Sequence, residues 1–325
     1  MNLKENVIQY LEANRSSYVS GEQLAEMFDV SRSAVWKTIK KLREEGYEVE
    51  AVSSKGYRLS ERNDMLSAAG ISQYLECVPP EHIFVYPEVD STNNVAKEMA
   101  LKGAAHGTVV IAERQTAGRG RMGRSFDSPA GTGIYLTIIM RPQTDMEKAL
   151  LITTAAAVGV CRAIRSVTGA EAVIKWVNDI YIGEKKVCGI LTEAVTDFES
   201  GSLESVVTGI GVNFKTPSQA FSEEARARGV CSIYDTQTSP VTRNQLAAAI
   251  VQEVLTICDN LDDKSFLSEY REWSIVIGKE IVYIRGSERR KARVLDIGED
   301  GGLIVLTADG EQKILSSGEI SIRWE

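Results

Sequence analysis

Two short capped helical patterns joined by a tight turn, with an alternating hairpin behind them, constrain the start of this chain most strongly. Ser20 and Gln23 form a capping-box pattern before one helix, and Ser31 and Gly46 are the predicted N-cap and stop of the next. The amphipathic stretch LKENVIQYLEAN predicts a further helix in front, and YEVEAVSSKGYRLS alternates around a turn. Three helices and a hairpin predict a winged helix-turn-helix domain over residues 1–62.

This predicted head is suited to DNA, because the second helix of such a pair enters the major groove. Between Ser31 and Arg43 the sequence contains no acidic residue. The predicted DNA-contacting residues are Ser31, Arg32, Ser33, Trp36, Lys37 and Lys40 on that helix, with Lys55 and Arg58 in the wing. The alternative is a three-helix protein-interaction domain whose lysines are solvated. Ten basic and ten acidic residues leave the head neutral, so we expect weak binding by one copy and a dimer on two half-sites.

Length and composition limit the number of domains and the classes of site that this chain can have. A chain of 325 residues predicts two or three domains, and the net charge of −8 falls entirely outside the neutral head. The five cysteines are scattered and never form CxxC, which favours reduced thiols in a cytoplasm. Two histidines argue against a histidine metal cluster or a serine triad. The charged start is unlike a signal peptide, and the apolar stretch 149–164 predicts a buried helix, so we expect no membrane partner.

Beyond a polar junction at 60–70, helical and strand patterns alternate, which predicts a mixed α/β domain over residues 67–273 with one large sheet. The predicted strands are 82–86, 108–113, 133–140, 172–177, 186–195 and 205–214, and the predicted helices are 92–102, 146–167, 242–261 and 264–273. Short strands separated by DG turns predict an SH3-like barrel over residues 274–325; the alternative is extra strands of the main sheet. The expected fold class is therefore a multidomain α+β protein.

The stretch GRGRMGRSFDSPAGTG at 118–133 predicts an anion-binding loop. Its glycines let backbone N–H groups approach a ligand, and Arg119, Arg121 and Arg124 provide planar charged forks for phosphate or carboxylate. The P-loop pattern GxxxxGK[ST] is absent, and a single copy between two strands is unlike an RGG tail. The sequence indicates an anion, most simply a phosphate, and does not identify it.

Three weaker clusters accompany this loop. In IKWVNDIYIGEKKVCGILTE, alternation predicts an extended segment with Lys175, Val177 and Asp179 on one face and Lys186 on the following strand. Asn178 and Asp179 suit a metal or a ribose and the lysines suit phosphate; the alternative is a surface hairpin. In DSTNNVAKEMA, a serine or threonine cap of a helix is the simpler interpretation. In TGIGVN, glycines within a strand indicate a close approach by backbone or ligand.

Together these motifs closely resemble the biotin–protein ligase family. The resemblance rests on DSTN at 90–93, QTAGRGRMGRSF at 115–126, KWVND at 175–179, KKVCGILTE at 185–193 and GIGVN at 209–213. The N-terminal head resembles that of the bifunctional bacterial members, which are biotin operon repressors and biotin–[acetyl-CoA-carboxylase] ligases. Val177 stands where many members have proline and Phe126 where many have tryptophan; a phenylalanine can still stack on adenine.

The resemblance implies that biotin reacts with ATP to give biotinyl-5′-AMP and pyrophosphate, and then passes to a lysine of a biotin carboxyl carrier domain. Bringing two anions together makes cationic neutralisation the dominant requirement, and no enzyme nucleophile is needed. The implied biotin-binding residues are Ser91, Thr92, Asn93, Gln115, Arg119, Gly120, Arg121 and Lys186, with Lys186, Arg119 and Arg121 catalytic. The implied ATP-binding residues are Arg119, Arg121, Arg124, Phe126, Lys175, Asn178, Asp179 and Asn213, with Asn178 and Asp179 as Mg²⁺ ligands.

The resemblance also implies regulation. In the family the adenylate is a corepressor that favours a homodimer, and the dimer binds operator DNA. Two other functions remain open: a ligand-sensing repressor without ligase activity, and a lipoate–protein ligase-like acyltransferase. The intact Lys186, Arg119 and Arg121 favour a ligase over a sensor, and GRGRxGR favours biotin over lipoate.

Overall fold

A computed structural model describes residues 2–141, 149–196, 203–235, 239–285, 288–316 and 320–322. The N-terminal domain has three helices, α1 Leu3–Ala13, α2 Gly21–Met27 and α3 Arg32–Glu44, followed by the antiparallel hairpin β1 Val49–Val52 and β2 Gly56–Leu59. The predicted capping box before α2 is present, and Ser31 caps α3 by accepting a hydrogen bond from the N–H of Ala34. Gly46 ends α3 with a φ of +99°, which glycine adopts without strain.

The central domain is built on a seven-stranded sheet in the order β3-β4-β5-β9-β8-β7-β6. Its strands are β3 Ile83–Tyr86, β4 Val109–Ala112, β5 Gly133–Met140, β6 Ala172–Lys175, β7 Asp179–Ile182, β8 Lys185–Thr196 and β9 Leu203–Asn213. The pair β3 and β4 is parallel, and every other neighbouring pair is antiparallel. Both faces are covered, so strand β5 is buried along its whole length.

Helices cover this sheet on two sides. They are α4 Ala68–Ser72, α5 Thr92–Leu101, α6 Ala149–Thr168, α7 Glu223–Ala227, α8 Arg243–Cys258 and α9 Phe266–Glu272. Helices α6 and α8 pack closely because Gly159 lies against Val254, where a Cβ would approach the Val254 Cα to 2.9 Å. By length and composition α6 is the one described helix that could span a membrane, but most of that stretch is buried within the protein.

The C-terminal sheet is five-stranded and antiparallel, in the order β13-β12-β11-β10-β14. Its strands are β10 Glu280–Arg285, β11 Glu288–Ile297, β12 Leu303–Thr307, β13 Gln312–Leu315 and β14 Ile320–Ile322. The Trp176 indole donates a hydrogen bond of 3.0 Å to the carbonyl of Gly301, which fastens this sheet to the central domain. The predicted fold class, a multidomain α+β protein with a separate C-terminal β-domain, is confirmed.

The predicted extended segment from Lys175 to Asp179 is wrong. The chain reverses at residues 176–178, and Lys175 pairs with Asp179 across an antiparallel hairpin. Residues 179–182 form β7, a strand that the sequence pattern did not separate from its neighbours. The reversal still brings the two side chains to one end of the sheet, because they occupy facing positions.

The polar junction at 60–70 is held down and partly buried. The N–H of Leu66 donates to Glu113, and the N–H of Ser67 donates to Asn244 at the start of α8. Asn63 and Leu66 are nearly inaccessible to solvent. The junction is therefore part of the packed interior between the two domains, and its last residues form the short helix α4.

Candidate active site

A cavity of about 520 Å³ opens at the edge of the central domain where several strands and loops end. Every residue that the sequence analysis assigned to biotin, ATP or Mg²⁺ lines it. These residues are Ser91, Thr92, Asn93, Gln115, Arg119, Gly120, Arg121, Arg124, Phe126, Lys175, Asn178, Asp179, Lys186 and Asn213. Motifs up to 122 positions apart in the sequence therefore form one site.

The glycine- and arginine-rich loop folds back on itself as a small hairpin. The N–H of Gly120 donates to the carbonyl of Arg124 over 2.7 Å, and the N–H of Phe126 donates to that of Gly118 over 2.9 Å. The tip lies at Met122 and Gly123, with φ of +56° and +75°. Its own hydrogen bonds thus fix the loop in a conformation that points residues 119 to 124 at the cavity.

The arginines of this loop are tied to opposite walls of the cavity. Arg119 Nη2 donates to Asn94 Oδ1 over 2.7 Å and approaches Glu193 Oε2 to 3.1 Å. Arg121 Nη1 donates to Asn178 Oδ1 over 3.0 Å. The loop therefore bridges α5 and β8 on one side and the β6–β7 turn on the other, so its cations are oriented before a ligand arrives.

Lys186 forms part of the cavity wall from β8. Its Nζ lies 2.6 Å from Asp179 Oδ1, and both side chains are about three-quarters buried. The backbone of Lys186 is also fixed, because its N–H donates to the carbonyl of Gly229 and its carbonyl accepts from the N–H of Cys231. The backbone of the lysine is held between strand β7 and an isolated bridge to Val230, and the Asp179 carboxylate lies beside its charge.

Glycines in β9 make space for two side chains of the site. A Cβ on Gly211 would come within 2.5 Å of the Phe126 ring, and one on Gly209 would overlap the side-chain oxygen of Asn93. The glycines of TGIGVN do mark a close approach, but not by the backbone or ligand that was predicted. The approaching groups are protein side chains that line the cavity themselves.

Helix α5 begins with a polar network. Gln115 Oε1 accepts from both the N–H and the hydroxyl of Thr92, and Gln115 Nε2 donates to Ser128 over 2.9 Å. Asn93 Nδ2 donates to Glu193 and to the carbonyl of Leu191, so both amide hydrogens of Asn93 are already used. The expected cap is not formed by Ser91, whose side chain makes no capping hydrogen bond within the described chain.

Asn213, at the end of β9, is the clearest unsatisfied group of the cavity. It is 2% exposed, and its Oδ1 has no hydrogen-bond partner among the described residues. Leaving a buried acceptor unpaired costs about 1–3 kcal/mol. A ligand donor or water-coordinated cation at this point would satisfy it.

One wall of the cavity, which comes from residues 221–230 around α7, was not predicted from the sequence. Asp127 Oδ2 accepts hydrogen bonds of 2.9 Å from both the N–H and the hydroxyl of Ser222, which joins this wall to the glycine- and arginine-rich loop. The available signal was the Ser-Glu-Glu N-terminus of a helix, which predicts a short helix and gives no hint of a ligand.

Asn178 and Asp179 can hold Mg²⁺ only if a bound nucleotide or water supplies further oxygen ligands. Within the described ranges, no three His, Cys, Asp or Glu side chains come together as a metal cluster. Asp179 pairs with Lys186, and Asn178 Oδ1 accepts from Arg121. Since Mg²⁺ takes most of its oxygen ligands from water and phosphates at nucleotide sites, these two residues fit as a partial ligand set.

The predicted DNA-binding surface is exposed on α3. Trp36 is 56% exposed, with Lys40 over its ring at 5.9 Å, and the hydroxyls of Ser31 and Ser33 lie 2.8 Å apart. In the wing, Arg58 pairs with Glu50 at 2.8 Å and stacks with Lys55 on the Tyr18 ring. Arg32 and Lys37 are thus exposed on the helix, whereas Lys40 pairs with Glu44 at 3.7 Å and the wing arginine is partly neutralised.

Comparison with known proteins agrees with this architecture. Three family profiles match in order: "HTH domain" at 4–58, "Biotin/lipoate A/B protein ligase family" at 85–213 and "Biotin protein ligase C terminal domain" at 276–323. The chain is 33% identical to the bifunctional ligase/repressor BirA of Bacillus spizizenii over 97% of each chain. It is 30% identical to BirA of Escherichia coli, over 94% of this chain and 92% of that one.

A solved structure extends the similarity to the fold. Biotin protein ligase from Aquifex aeolicus, in complex with biotin and ATP, has a TM-score of 0.63 and 27% identity. It covers 75% of this chain and 99% of that one. Because the similarity to relatives at 30% identity or more includes the head, the central domain and the C-terminal domain, the chain belongs to the biotin protein ligase family, in its form with an N-terminal helix-turn-helix domain.

Proposed function

We propose that this protein is an ATP-dependent biotin protein ligase that also represses transcription. A carboxylate oxygen of biotin attacks the α-phosphorus of ATP, the bond to pyrophosphate breaks, and biotinyl-5′-AMP forms. The amine of a lysine on a biotin carboxyl carrier domain then attacks the acyl carbon and AMP leaves. The protein supplies position and positive charge, since neither step needs a nucleophile from the enzyme.

The observation that carries this proposal is the placement of three cations around one cavity. Arg119, Arg121 and Lys186 come from a loop and a strand, and each is fixed by a hydrogen bond or ion pair before ligand binds. Preorganised cations lower the cost of bringing a carboxylate to a phosphate more than mobile ones do. We assign Arg119 and Arg121 to the carboxylate and the α-phosphate, and Lys186 to the charge that develops in both steps.

The remaining lining residues divide by position. Ser91, Thr92 and Asn93 at the start of α5, Gln115 bonded to Thr92, and Gly120 of the loop are assigned to biotin. Arg124, Phe126, Lys175, Asn178, Asp179 and Asn213 are assigned to ATP, with the Phe126 ring available to stack on adenine. Mg²⁺ would neutralise phosphate charge, held by Asn178 and Asp179 together with phosphate oxygens and water.

Exchange of pyrophosphate into ATP, driven by an added acid, tests the enzyme. We expect exchange with biotin, no exchange with lipoate, and subsequent biotin transfer to a carrier domain. No exchange with either acid would leave a ligand-sensing repressor, and exchange with lipoate alone would make the protein a lipoate–protein ligase-like acyltransferase.

The head carries the regulatory half of the proposal. With biotinyl-5′-AMP as corepressor, a homodimer would place two α3 helices on the two half-sites of an operator, which compensates for the neutral charge of one head. The adenylate must then bind the dimer-competent state more tightly than the monomer. We place this reaction in the cytoplasm, where the carboxylase carrier domains are modified.

The matching test uses full-length protein and DNA sites selected from a random library in the presence of biotin and ATP. Arg32→Ala and Lys37→Ala, both exposed on α3, are expected to weaken binding and reduce its salt dependence by about one ion each. Exchange activity should stay unchanged, and sedimentation should show ligand-dependent dimers. If both variants bind the selected DNA as tightly as the wild type does, α3 is not the helix that contacts DNA.

We also propose three domains, which span residues 1–62, 67–273 and 274–325. Separate hydrophobic clusters in the head and in the central domain support the first boundary. The second is supported by the change from helix α9 to the strands of the C-terminal sheet. Limited proteolysis that cuts mainly inside these ranges would contradict the boundaries.

A further inference from the structure

Glu193 on β8 lies just behind the lined wall of the cavity, and its carboxylate contacts three side chains of the described chain. Its Oε2 accepts from Asn93 Nδ2 over 2.7 Å and lies 3.1 Å from Arg119 Nη2. Its Oε1 lies 2.6 Å from Lys97 Nζ on α5. One carboxylate thus joins a biotin-site amide, a loop arginine and a lysine that does not line the cavity.

We propose that Glu193 is a positioning residue that sets the orientation of Arg119 and Asn93, and that Lys97 keeps Arg119 electrostatically available for an anion. This inference rests on the proposed function, because it takes Arg119 to be the group that meets the biotin carboxylate or the α-phosphate. Glu193 itself is not among the residues that line the cavity.

Hydrogen-bond geometry supports the orienting role. Arg119 has five N–H donors, and only Nη2 is directed to Asn94 and Glu193. Holding the guanidinium at one nitrogen fixes its plane while leaving the other donors for a ligand. Asn93 is held in the same way, with Nδ2 on Glu193 and on the Leu191 carbonyl and Oδ1 accepting from Thr137.

The charges support the role of Lys97. Glu193 with Arg119 alone would be a neutral pair, and a neutral pair attracts a carboxylate or phosphate weakly. With Lys97 on the other oxygen, the group of three carries one net positive charge. Burial alone would raise the pKa of the Glu193 carboxyl, but Lys97, Asn93 and Arg119 outweigh burial and hold it below the ordinary value. The carboxylate is therefore ionised at neutral pH.

Three variants test this arrangement in the full-length enzyme: Glu193→Gln, Lys97→Met and the double variant. The control is Glu204→Gln. Glu204 lies on the neighbouring strand β9, outside the cavity lining, and its exposure is similar to that of Glu193. Its carboxylate pairs with Arg141 at 3.3 Å. The measurements are kcat and KM for biotin in pyrophosphate exchange, with a thermal midpoint for each variant.

Glu193→Gln is expected to lower kcat/KM for biotin by about tenfold to a hundredfold, the range for losing charge-assisted hydrogen bonds. Lys97→Met should raise KM for biotin with little change in kcat, because Arg119 stays oriented but its charge is neutralised. If Lys97 acts only through Glu193, adding Lys97→Met to Glu193→Gln changes nothing further. Glu204→Gln should match wild type.

If the wild type exchanges pyrophosphate with biotin and Glu193→Gln has the same kcat/KM as the Glu204→Gln control, this inference is overturned and the proposed function stays intact. Additive effects of the two single variants would also overturn it. No exchange by the wild type would instead refute the proposed function. Should Glu193→Gln fail to fold, the expected change in KM for Lys97→Met decides, and an unchanged KM overturns the inference.

Discussion

The Nζ of Lys186 lies 2.6 Å from Oδ1 of Asp179, and both side chains line the same cavity. The pair keeps a lysine charge at the cavity wall without a ligand and gives it a partner that an incoming phosphate can replace. Until that replacement, the Asp179 carboxylate holds the ammonium group in place at the cavity wall.

Lys186→Ala is predicted to reduce pyrophosphate exchange by about a hundredfold to a thousandfold, as removal of a preorganised charge-stabilising group does in other enzymes. The matched control is Lys185→Ala, an exposed neighbour outside the cavity lining, which should keep full activity. Initial rates of exchange at saturating biotin and ATP measure both. Full activity of the Lys186 variant would remove this residue from the catalytic group.

Gly211→Ala is predicted to displace the Phe126 ring, because its Cβ would lie 2.5 Å from a ring carbon. Overpacking of this kind costs about 1–3 kcal/mol, so kcat/KM for ATP should fall by about tenfold or more. In the background of Phe126→Ala the same substitution should have little effect. Equal losses in the two backgrounds would mean that the glycine matters for another reason.

Arg243→Met is predicted to be among the most destabilising single changes. Arg243 is 1% exposed, and its guanidinium bonds to both Asp64 and Glu113. Its loss leaves the buried Glu113 carboxylate without its guanidinium partner, while Asp64 keeps an ion pair with Lys215 at 2.7 Å. The loss should cost about 3–5 kcal/mol of the free energy of unfolding.

Arg114→Met is the control for that experiment, because Arg114 is half exposed in its pair with Glu88 and should cost less than about 1 kcal/mol. Urea titration followed by fluorescence measures both variants. Similar midpoints would show that the buried network stabilises the fold no more than a surface pair does.

Glu12 gives a pH-dependent prediction. Burial of its side chain on α1 outweighs the contact with Arg15 and raises the pKa of its carboxyl above 4.5. A raised folded-state pKa contributes stability that is complete below the unfolded value and is lost as the pH rises through the folded value. The thermal midpoint of wild type relative to Glu12→Gln should therefore rise as the pH falls from about 7 towards about 4.5.

Glu22→Gln, at an exposed position on α2, should show no such trend relative to wild type. A difference between wild type and Glu12→Gln that stays constant over this range would mean that Glu12 titrates alike in the folded and unfolded chain.

Much of the fold followed from local patterns, because caps, alternating strands and turn residues act over a few positions. The capping box at Ser20 and the strand 133–140 are where the sequence placed them. The β6–β7 reversal was missed because residues 176–178 contain no glycine or proline to mark a turn.

Part of the candidate site could likewise be predicted from the sequence, and part could not. Its motifs were visible in the sequence, and all of the residues assigned from them line one cavity. The part played by Glu193 was not visible, because it depends on how β8 lies beside α5 and the loop. The wall at 221–230 was missed because a short helix carries no chemical signature of its own.

The buried junction has a consequence for how the head would meet DNA. The junction bonds to both domains, because Asn63 accepts hydrogen bonds from Arg15 and Glu48 of the head and the N–H of Leu66 donates to Glu113 of the central domain. The helix-turn-helix is therefore mounted on the central domain through hydrogen-bonded residues. In a homodimer, the distance between the two α3 helices would then be dictated by where the central domains touch. The preferred spacing of the two operator half-sites would then report where the central domains touch. A change in the length of the junction should shift that spacing.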